Sequence, residues 1–276
     1  MSASLAVTPQ QNGPFKLKQL HVLLLVVAAF AGLSPDAQAQ AAFIDLGSAS
    51  SFAILAGTSV TNSGLTIVNG DLGVSPGILV TGFGPGVVNG TIYTGTPTLA
   101  SSAEAAALTA YNILTGETFI SDLSGQDLGA RTLTPGVYSF SATAGLTGTL
   151  ILDAGNNPNA RFDFLIGSTL GTASSSHITL INLAQANNVF WQVGTSATLG
   201  SSSDFVGNLL ANTSITLAGT GAMIDGRLLA LNGTVSLIGD TISVPTAIPE
   251  PATNALVAAF AALGLAFWRR RRRVAR

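Results

Sequence analysis

The sequence predicts an all-β fold of the β-solenoid type, in which short strands wind into coils and the coils stack. Residues 190–244 divide into three rows of about 18 to 20 residues that align with one another. Each row carries three short apolar alternations, separated by Gly, Ser, Thr and Asn. One such coil cannot bury its own inner face, but a stack of coils can, so a period of about 20 with three strands per period indicates a solenoid.

Residues 1–39 have the pattern of a secretory signal peptide. Two lysines precede an apolar run at 20–33, and Ala37–Ala39 supplies a small-residue cleavage site. A basic segment, a short apolar run and an A-x-A site together are typical of signals that are removed on export. We therefore expect the mature chain to begin near Gln40, with a retained N-terminal anchor as the alternative.

The predicted domain spans residues 40–246, and its first block repeats the coils near its end. Residues 54–61 closely match residues 209–216, although about 155 positions separate the two segments. The simplest arrangement places the N-terminal coil beside the C-terminal coils in one stack. The solenoid is then discontinuous in sequence, and residues 81–131 are an insertion.

The insertion carries the one convincing helix, from Ser101 to Leu114. Ser101 and Glu104 have the spacing of a capping box, and Gly116 is a suitable stop. Alanines at helical spacing form one face of this segment. Because small side chains allow a close approach, we expect the helix to lie along one side of the solenoid and to bury apolar residues there.

Short hydroxyl side chains lie on the outside of the coils when the large apolar residues point inward. In the segment Ser59–Thr61, Val60 points inward and its two neighbours point outward. Stacked coils bring such residues to about 4.8 Å from one another, the distance between neighbouring strands. The same assignment predicts an outward ladder of nine residues: Ser59, Thr61, Thr179, Ser196, Thr198, Ser214, Thr216, Thr234 and Ser236.

This predicted ladder carries no charge, and it has two interpretations. Ser and Thr are ordinary residues on the surface of strands. Alternatively, a rigid and regular array of hydroxyls and methyls binds an ordered, repetitive target, and ice is such a target.

The composition excludes several classes of function. Only 9% of the 276 residues are charged, and there is no cysteine. Between residues 42 and 246, eleven acidic residues stand against three basic ones, a formal charge of −8, which argues against nucleic-acid binding. Without cysteine the chain forms no disulfide, no thiolate metal site and no Cys nucleophile. We expect neither a metal nor a cofactor.

Solenoids also form the scaffold of polysaccharide-cleaving enzymes, which need two carboxyl groups converging on one bond, about 5 to 9 Å apart. Asp204 and Asp225 hold similar positions in adjacent coils, but each lies beside a turn, where Asp is common. His177 is the single His outside the signal, so neither a catalytic triad nor a zinc site is expected. Arg161 and Asp163 are expected to pair on a strand surface. No catalytic residue is assigned, and the chain is not expected to be an enzyme.

Residues 247–276 form a tail in which Pro249, Glu250 and Pro251 precede an apolar run at 255–268 and a cluster of arginines. The run is shorter than the roughly 20 residues of a spanning helix, so it predicts a short membrane-inserting segment with a basic stop. The three parts together resemble a PEP-CTERM protein-sorting tail. This resemblance implies a Gram-negative bacterial protein that is exported and cleaved near the motif by an exosortase-type enzyme. It would contact the membrane only through the transient tail and reach the outer surface or the extracellular matrix.

Several blocks along the chain resemble the DUF3494 ice-binding protein family, in unbroken order over residues 43–244. The blocks are Asp45–Gly47, Phe52–Ala56, Gly70–Gly77, Ala110–Tyr111, Leu133–Tyr138, Asn188–Gly194 and Gly226–Ala230. The resemblance implies a discontinuous right-handed β-solenoid of triangular cross-section with one long α-helix packed alongside. It also implies ice adsorption through one flat face. The family has no short universal ice-binding motif, so the ladder is assigned from strand alternation alone.

Two functions from different classes follow from these features. The first is an exported, monomeric ice-binding protein that adsorbs to ice and catalyses no reaction. The second is a structural or adhesive protein of the extracellular matrix that binds polysaccharide or cells with the same rigid rod, which the sorting tail favours. Ice assays and binding to the organism's own exopolysaccharide discriminate between them.

Overall fold

A computed structural model describes residues 44–246 of the chain. The predicted signal peptide at 1–39 and the predicted sorting tail at 247–276, with Pro249, Glu250 and Pro251, lie outside the described residues. Between residues 44 and 246, no helix is both long and apolar enough to cross a membrane.

The N-terminal part of the described chain contains a 3-10 turn, seven strands and one helix. They are the turn Gly47–Ser51, β1 (Phe52–Ala56), β2 (Ser59–Asn62), β3 (Ile67–Asn69), β4 (Asp71–Val74), β5 (Leu79–Thr81), β6 (Val87–Val88), β7 (Ile92–Thr94) and α1 (Leu99–Thr115).

The rest of the described chain contains fifteen strands and a second 3-10 turn. They are β8 (Ser121–Asp122), β9 (Arg131–Leu133), β10 (Gly136–Phe140), β11 (Ala144–Leu146), β12 (Thr149–Asp153), β13 (Phe162–Ile166), β14 (Leu170–Thr172), β15 (His177–Ile181), the turn Ala186–Asn188, β16 (Val189–Val193), β17 (Ala197–Leu199), β18 (Asp204–Ala211), β19 (Ile215–Leu217), β20 (Met223–Ala230), β21 (Thr234–Leu237) and β22 (Thr241–Ser243).

The stack of coils is discontinuous in sequence, as predicted. Every strand pair is parallel, and a seven-stranded sheet runs in the order β11, β14, β17, β19, β21, β2, β5. Strand β2 therefore lies against β21, with Val60 opposite Val235. Strand β1 likewise pairs with the end of β20, which places Ile54 opposite Leu228. The N-terminal coil thus continues the stack from the last C-terminal coil.

Each complete coil has three sides, because three strand segments make one turn. The coil after Gly207 uses the end of β18, then β19, then the start of β20. Gly207 adopts a positive φ of 109° where the chain turns from one side to the next. Gly226 lies opposite Gly207 in the neighbouring coil, and a Cβ there would come 1.9 Å from the Gly207 carbonyl oxygen. Only glycine fits this corner.

The interior of the stack is a series of layered side chains. Tyr138, Phe164 and Trp191 occupy one register position in successive coils, and the Phe164 and Trp191 rings stack with centroids 3.8 Å apart. The Trp191 indole donates a hydrogen bond of 2.9 Å to the Val206 carbonyl, so its polar atom is satisfied in the core. Leu209 follows at the same position in the next coil, so this column of inward side chains changes there from aromatic to aliphatic.

Helix α1 packs along one side of the solenoid, which confirms the expected arrangement. Ala103, Ala107 and Ala110 have no exposed surface and lie in one buried cluster with Leu55 and Leu229 of the sheet. The alanines allow the close approach that the sequence predicted.

The helix begins earlier than Ser101, the predicted N-cap. It starts at Leu99 because Thr98 has an extended backbone, with φ −143°, and serves as the cap. The Ser101 hydroxyl accepts a hydrogen bond of 3.1 Å from the Thr98 amide, so Ser101 takes the third position of a capping box. Glu104, the residue predicted for that third position, is not part of the box.

The chain outside the stack is shorter than the predicted insertion at 81–131. Strands β5, β6 and β7 pair with β2, β3 and β4, respectively, and form a further, irregular coil. Strands β8 and β9 pair with β10 and β12 at the other end of the stack. The glycine-rich stretch at 82–86 breaks the apolar alternation without leaving the solenoid, because it forms a corner of this coil.

Candidate functional site

The outer surface of the seven-stranded sheet presents two columns of short side chains. In strand β19, Ile215 and Leu217 are buried and Thr216 is exposed, and the neighbouring strands repeat this alternation. The first column contains Thr143, Thr169, Ser196, Ser214, Thr234, Ser59 and Leu79, and the second contains Gly145, Gly171, Thr198, Thr216, Ser236, Thr61 and Thr81. We call this surface the hydroxyl face.

Eight of the nine predicted ladder residues lie on the hydroxyl face. They are Ser59, Thr61, Ser196, Thr198, Ser214, Thr216, Thr234 and Ser236. They come from four strands, β2, β17, β19 and β21, and from the turns before β17 and β19, which the parallel register brings to one side of the molecule.

Thr179 is not brought together with the other eight. It lies on β15, opposite Ile151 of β12, in the other sheet. In the same coil, the strand that lies on the hydroxyl face is β14, and Gly171 of β14 occupies the second column. The alternation around Ile178 resembles that of the ladder strands, but Thr179 belongs to a different one of the three strands in its coil.

Hydrogen bonds between neighbouring coils fix several hydroxyls of this face. The Ser214 hydroxyl accepts a bond of 3.1 Å from the Thr234 amide, and the Ser196 hydroxyl accepts one of 3.3 Å from the Ser214 amide. In the second column, the Thr61 hydroxyl donates to the Ser236 hydroxyl at 3.3 Å. These contacts restrict the side-chain rotamers, so the columns present a regular array at the strand spacing of about 4.8 Å.

The face extends beyond the predicted residues at both ends. Thr81 lies opposite Thr61 in the last coil, and Leu79 lies opposite Ser59. At the other end, the Thr143 and Thr169 hydroxyls are 2.9 Å apart. The match between Val60-Thr61 and Val80-Thr81 could have revealed Thr81, but the predicted insertion began there.

Two glycines leave a gap in the second column. Gly145 and Gly171 lie opposite one another and precede Thr198 in the same register. A Cβ on Gly171 would meet no atom within 4 Å. The array of side chains in this column is therefore complete over five coils and absent from the next two.

The electrostatics of the hydroxyl face differ from those of the third side of the solenoid. The two columns contain no Asp, Glu, Lys, Arg or His. On the third side, the His177 Nδ1 and Asp204 Oδ2 atoms are 2.8 Å apart, with both side chains about half exposed, and Met223 is 60% exposed. Burial raises the pKa of Asp225, which lies on the same side, and Arg227 opposes this shift.

The carboxylates considered for catalysis are not in one column. Asp204 lies opposite Met223, whereas Asp225 lies opposite Val206, two positions further along the strand. Across residues 44–246, no group of three or more His, Cys, Asp or Glu side chains is placed to hold a metal ion.

The Arg161 and Asp163 pair is buried rather than on the strand surface where it was expected. Arg161 Nε lies 2.6 Å from Asp163 Oδ2, and the Asp163 side chain is only 1% exposed. The pair is covered because the chain after helix α1 brings Glu117 against Arg161. Strand alternation in one segment could not show a partner 44 positions away.

The chain is similar in sequence to known ice-binding proteins. The sequence profile of the family described as Ice-binding-like matches residues 54–243. The chain is 46% identical over 268 residues to an "Ice-binding protein" of Nostoc sp. (strain HG1), an alignment that covers 93% of this chain and 97% of that one. It is 33% identical over 219 residues to an "Ice-binding protein" of Flavobacterium frigoris (strain PS1), covering 73% of this chain and 76% of the relative.

Solved structures of similar proteins have the same fold. An ice-binding protein from the Antarctic ascomycete Antarctomyces psychrotrophicus superimposes with a TM-score of 0.71 at 40% identity, covering 74% of this chain and 98% of that one. The ice-binding protein LeIBP from an Arctic yeast gives a TM-score of 0.67 at 32% identity, covering 76% and 97%. Because its sequence matches the family profile and its solenoid fold is shared with solved ice-binding proteins, the chain belongs to the Ice-binding-like family. This is the DUF3494 family that its sequence resembles.

Proposed function

We propose that this protein is an exported ice-binding protein that adsorbs to ice through the hydroxyl face. Membership of the Ice-binding-like family supports ice as the target. The observation that carries the choice of face is the pair of uncharged columns in register across the seven-stranded sheet.

The physical basis of the proposal is that ice is a flat and repetitive surface of water molecules. A face that binds it must be regular over several coils and must not hold tightly bound hydration water of its own. Charged side chains hold water strongly and are costly to desolvate, and the two columns have none. The hydroxyls and methyls at strand spacing are also partly fixed by hydrogen bonds between coils, so little side-chain entropy is lost on adsorption.

The other two sides of the solenoid are less suited to this role. Helix α1 covers one side, where Leu55 and Leu229 are fully buried beneath it. The third side carries the exposed His177 and Asp204 pair and the protruding Met223 side chain. Both features interrupt a flat, uncharged surface, so the hydroxyl face is the side best suited to bind ice.

The proposed action is adsorption without turnover, and it requires no cofactor. The protein would act as a monomer, because each copy carries the complete face. The signal pattern at 1–39 supports export. The tail with Pro249, Glu250 and Pro251 supports sorting by an exosortase-type enzyme, with membrane contact limited to the tail, to the outer surface or extracellular matrix of a Gram-negative bacterium.

A pair of matched variants tests the function and the face together. Thr216 and Thr179 are both exposed threonines on strands, but only Thr216 lies on the hydroxyl face. In the protein comprising residues 40–246, we expect Thr216→Tyr to abolish thermal hysteresis and inhibition of ice recrystallisation, because the ring disrupts the flat face. Thr179→Tyr should leave both activities unchanged, and circular dichroism should show both variants folded.

The outcomes separate the alternatives. Loss of activity in Thr179→Tyr alone would assign the third side instead of the hydroxyl face. An unmodified protein without ice activity at high micromolar concentration, yet binding the organism's own exopolysaccharide, would replace the proposal with the adhesive function.

A further inference from the structure

Two carboxyl groups and one guanidinium are buried together where helix α1 ends against the solenoid. Glu117 follows the helix, and Arg161 and Asp163 lie at the start of β13. Arg161 contacts both acids: its Nε lies 2.6 Å from Asp163 Oδ2, and its Nη2 contacts Glu117 Oε1. The exposed fractions of the Glu117, Arg161 and Asp163 side chains are only 12%, 10% and 1%.

The hydrogen bonding of this cluster lacks one donor. Asp163 Oδ1 and Glu117 Oε2 are both buried and have no hydrogen-bond partner. Both carboxyl groups contact the same guanidinium, that of Arg161, which holds them close to each other. Carboxylate oxygens only accept, so a bond between them needs a proton on one of them.

The charge balance leads to the same requirement. Two ionised carboxylates beside one guanidinium would leave an excess negative charge out of contact with water, which is strongly unfavourable. Burial raises the pKa of Asp163 to about 8, with Arg161 opposing the shift and Glu117 adding to it.

We propose that Asp163 keeps its proton and donates it in a hydrogen bond to Glu117 beside Arg161, and that this bond attaches the end of helix α1 to the solenoid. Loss of the proton in alkaline solution would place two like charges in contact and release the residues after the helix. The inference is independent of ice binding, because the cluster lies on the side that the helix covers.

The other charged groups near the cluster already have partners, since Asp45 accepts a hydrogen bond of 2.8 Å from the Gly47 amide. Asp45 and Arg227 line the cleft that Arg161 also lines. Arg227 is held by the Ser50 carbonyl oxygen at 2.7 Å. The strands on either side place the uncharged Val137 and Phe190 opposite Asp163. The proton balance of the pair is therefore set mainly by Arg161 and by the two acids themselves.

The direction of the pH dependence follows from the raised pKa. The folded protein retains the proton up to about pH 8, whereas an unfolded Asp loses it near pH 4. Stability contributed by this group is complete below about pH 4 and is lost as the pH rises towards 8, by about tenfold in the unfolding constant per pH unit. Burial also raises the pKa of Glu104 to about 8, so the two contributions must be separated.

The experiment measures equilibrium unfolding of the purified exported protein between about pH 5 and about pH 9. Glu104→Gln removes the other acid whose pKa is raised to about 8. Adding Asp163→Asn should then lower the remaining slope by about one proton. Asp122→Asn, at a fully exposed carboxyl near the same end of the helix, should change nothing.

A second readout locates the effect. In the Glu104→Gln protein, hydrogen exchange at residues 112–120, corrected for the intrinsic rate, should accelerate by at least about tenfold between about pH 7 and about pH 9. The double variant should show no such change. Equal slopes and equal exchange in the two proteins would overturn the proposal, as would the absence of a protonated-carboxyl infrared band from Glu104→Gln at about pH 7.

Discussion

On the hydroxyl face, the position of a single hydroxyl depends on the coil next to it. Ser214 illustrates this, because its oxygen accepts a hydrogen bond from the Thr234 amide and its own amide donates to Ser196. Such backbone contacts orient the side chain without consuming all its capacity, since a hydroxyl can make three hydrogen bonds. The Ser214 oxygen also accepts a longer bond of 3.5 Å from the Thr234 hydroxyl, so its own proton is what remains available to water at a fixed position.

The gap at Gly171 predicts that the face can be enlarged by one residue. Gly171→Thr places a side chain in register with Thr198, and the added Cβ meets no atom within 4 Å. We expect thermal hysteresis to rise, because the second column grows by about a fifth, from five side chains to six. Stability should also increase slightly, by up to about 1 kcal/mol, since Thr favours strands more than Gly does.

Gly84→Thr is the matched control for this gain. Gly84 also has open space around its Cβ direction, but it lies in the corner between β5 and β6 and not in either column. Its replacement should leave thermal hysteresis unchanged. An equal gain in both variants, measured at equal concentration, would show that added surface Thr acts without regard to the columns.

At the scale of an element, the packing of helix α1 depends on its close approach to the sheet. Ala107 has no exposed surface, whereas Ala105, half a turn away, faces solvent. Ala107→Leu should destabilise the protein by about 1 to 3 kcal/mol, because the extra carbons force the helix away from the sheet. Ala105→Leu should change the free energy of unfolding by less than about 0.5 kcal/mol.

Chemical denaturation measures both effects, and ice assays below the unfolding temperature add a second readout. The hydroxyl face lies on a different side from the helix, so folded Ala107→Leu protein should retain its ice activity. A loss of activity without unfolding would mean that the helix contributes to adsorption.

At the scale of the whole molecule, Arg227 connects chain segments that are far apart in sequence. Its guanidinium donates to the Ser50 carbonyl oxygen at 2.7 Å and to Asn208 Oδ1 at 2.7 Å, and the residue is 5% exposed. Burial lowers its pKa to about 10, with Asp225 opposing the shift, so it remains charged at neutral pH.

We expect Arg227→Met to cost about 2 to 5 kcal/mol, because it leaves buried acceptors without donors. Arg131→Met is the control. Arg131 lies at the open end of the stack, bonded to Asp127 and Gln126, and its loss should cost less than about 1 kcal/mol. Denaturant midpoints of the two variants measure the difference, and equal midpoints would contradict a connecting role for Arg227.

The sequence predicted the features that repeat and missed those that depend on contacts between distant segments. The match of residues 54–61 to 209–216 was sufficient to predict the discontinuous stack, since similar coils bury similar inner faces. Eight ladder residues followed from alternation within their strands. Thr179 did not, because alternation alone cannot say which of three sides a strand occupies. The burial of Asp163 depends on where the chain places Glu117 after the helix.

Strand β22 lies in the middle of the stack, between β20 and β3, and belongs to the sheet that does not carry the hydroxyl face. The last strand of the described chain therefore lies on a side of the solenoid away from that face. A tether attached there would hold the domain by its flank and leave the whole adsorbing surface turned outward. A cell that displayed many such domains would adhere to an ice crystal. The same fold would then attach cells to ice as well as restrain the growth of ice.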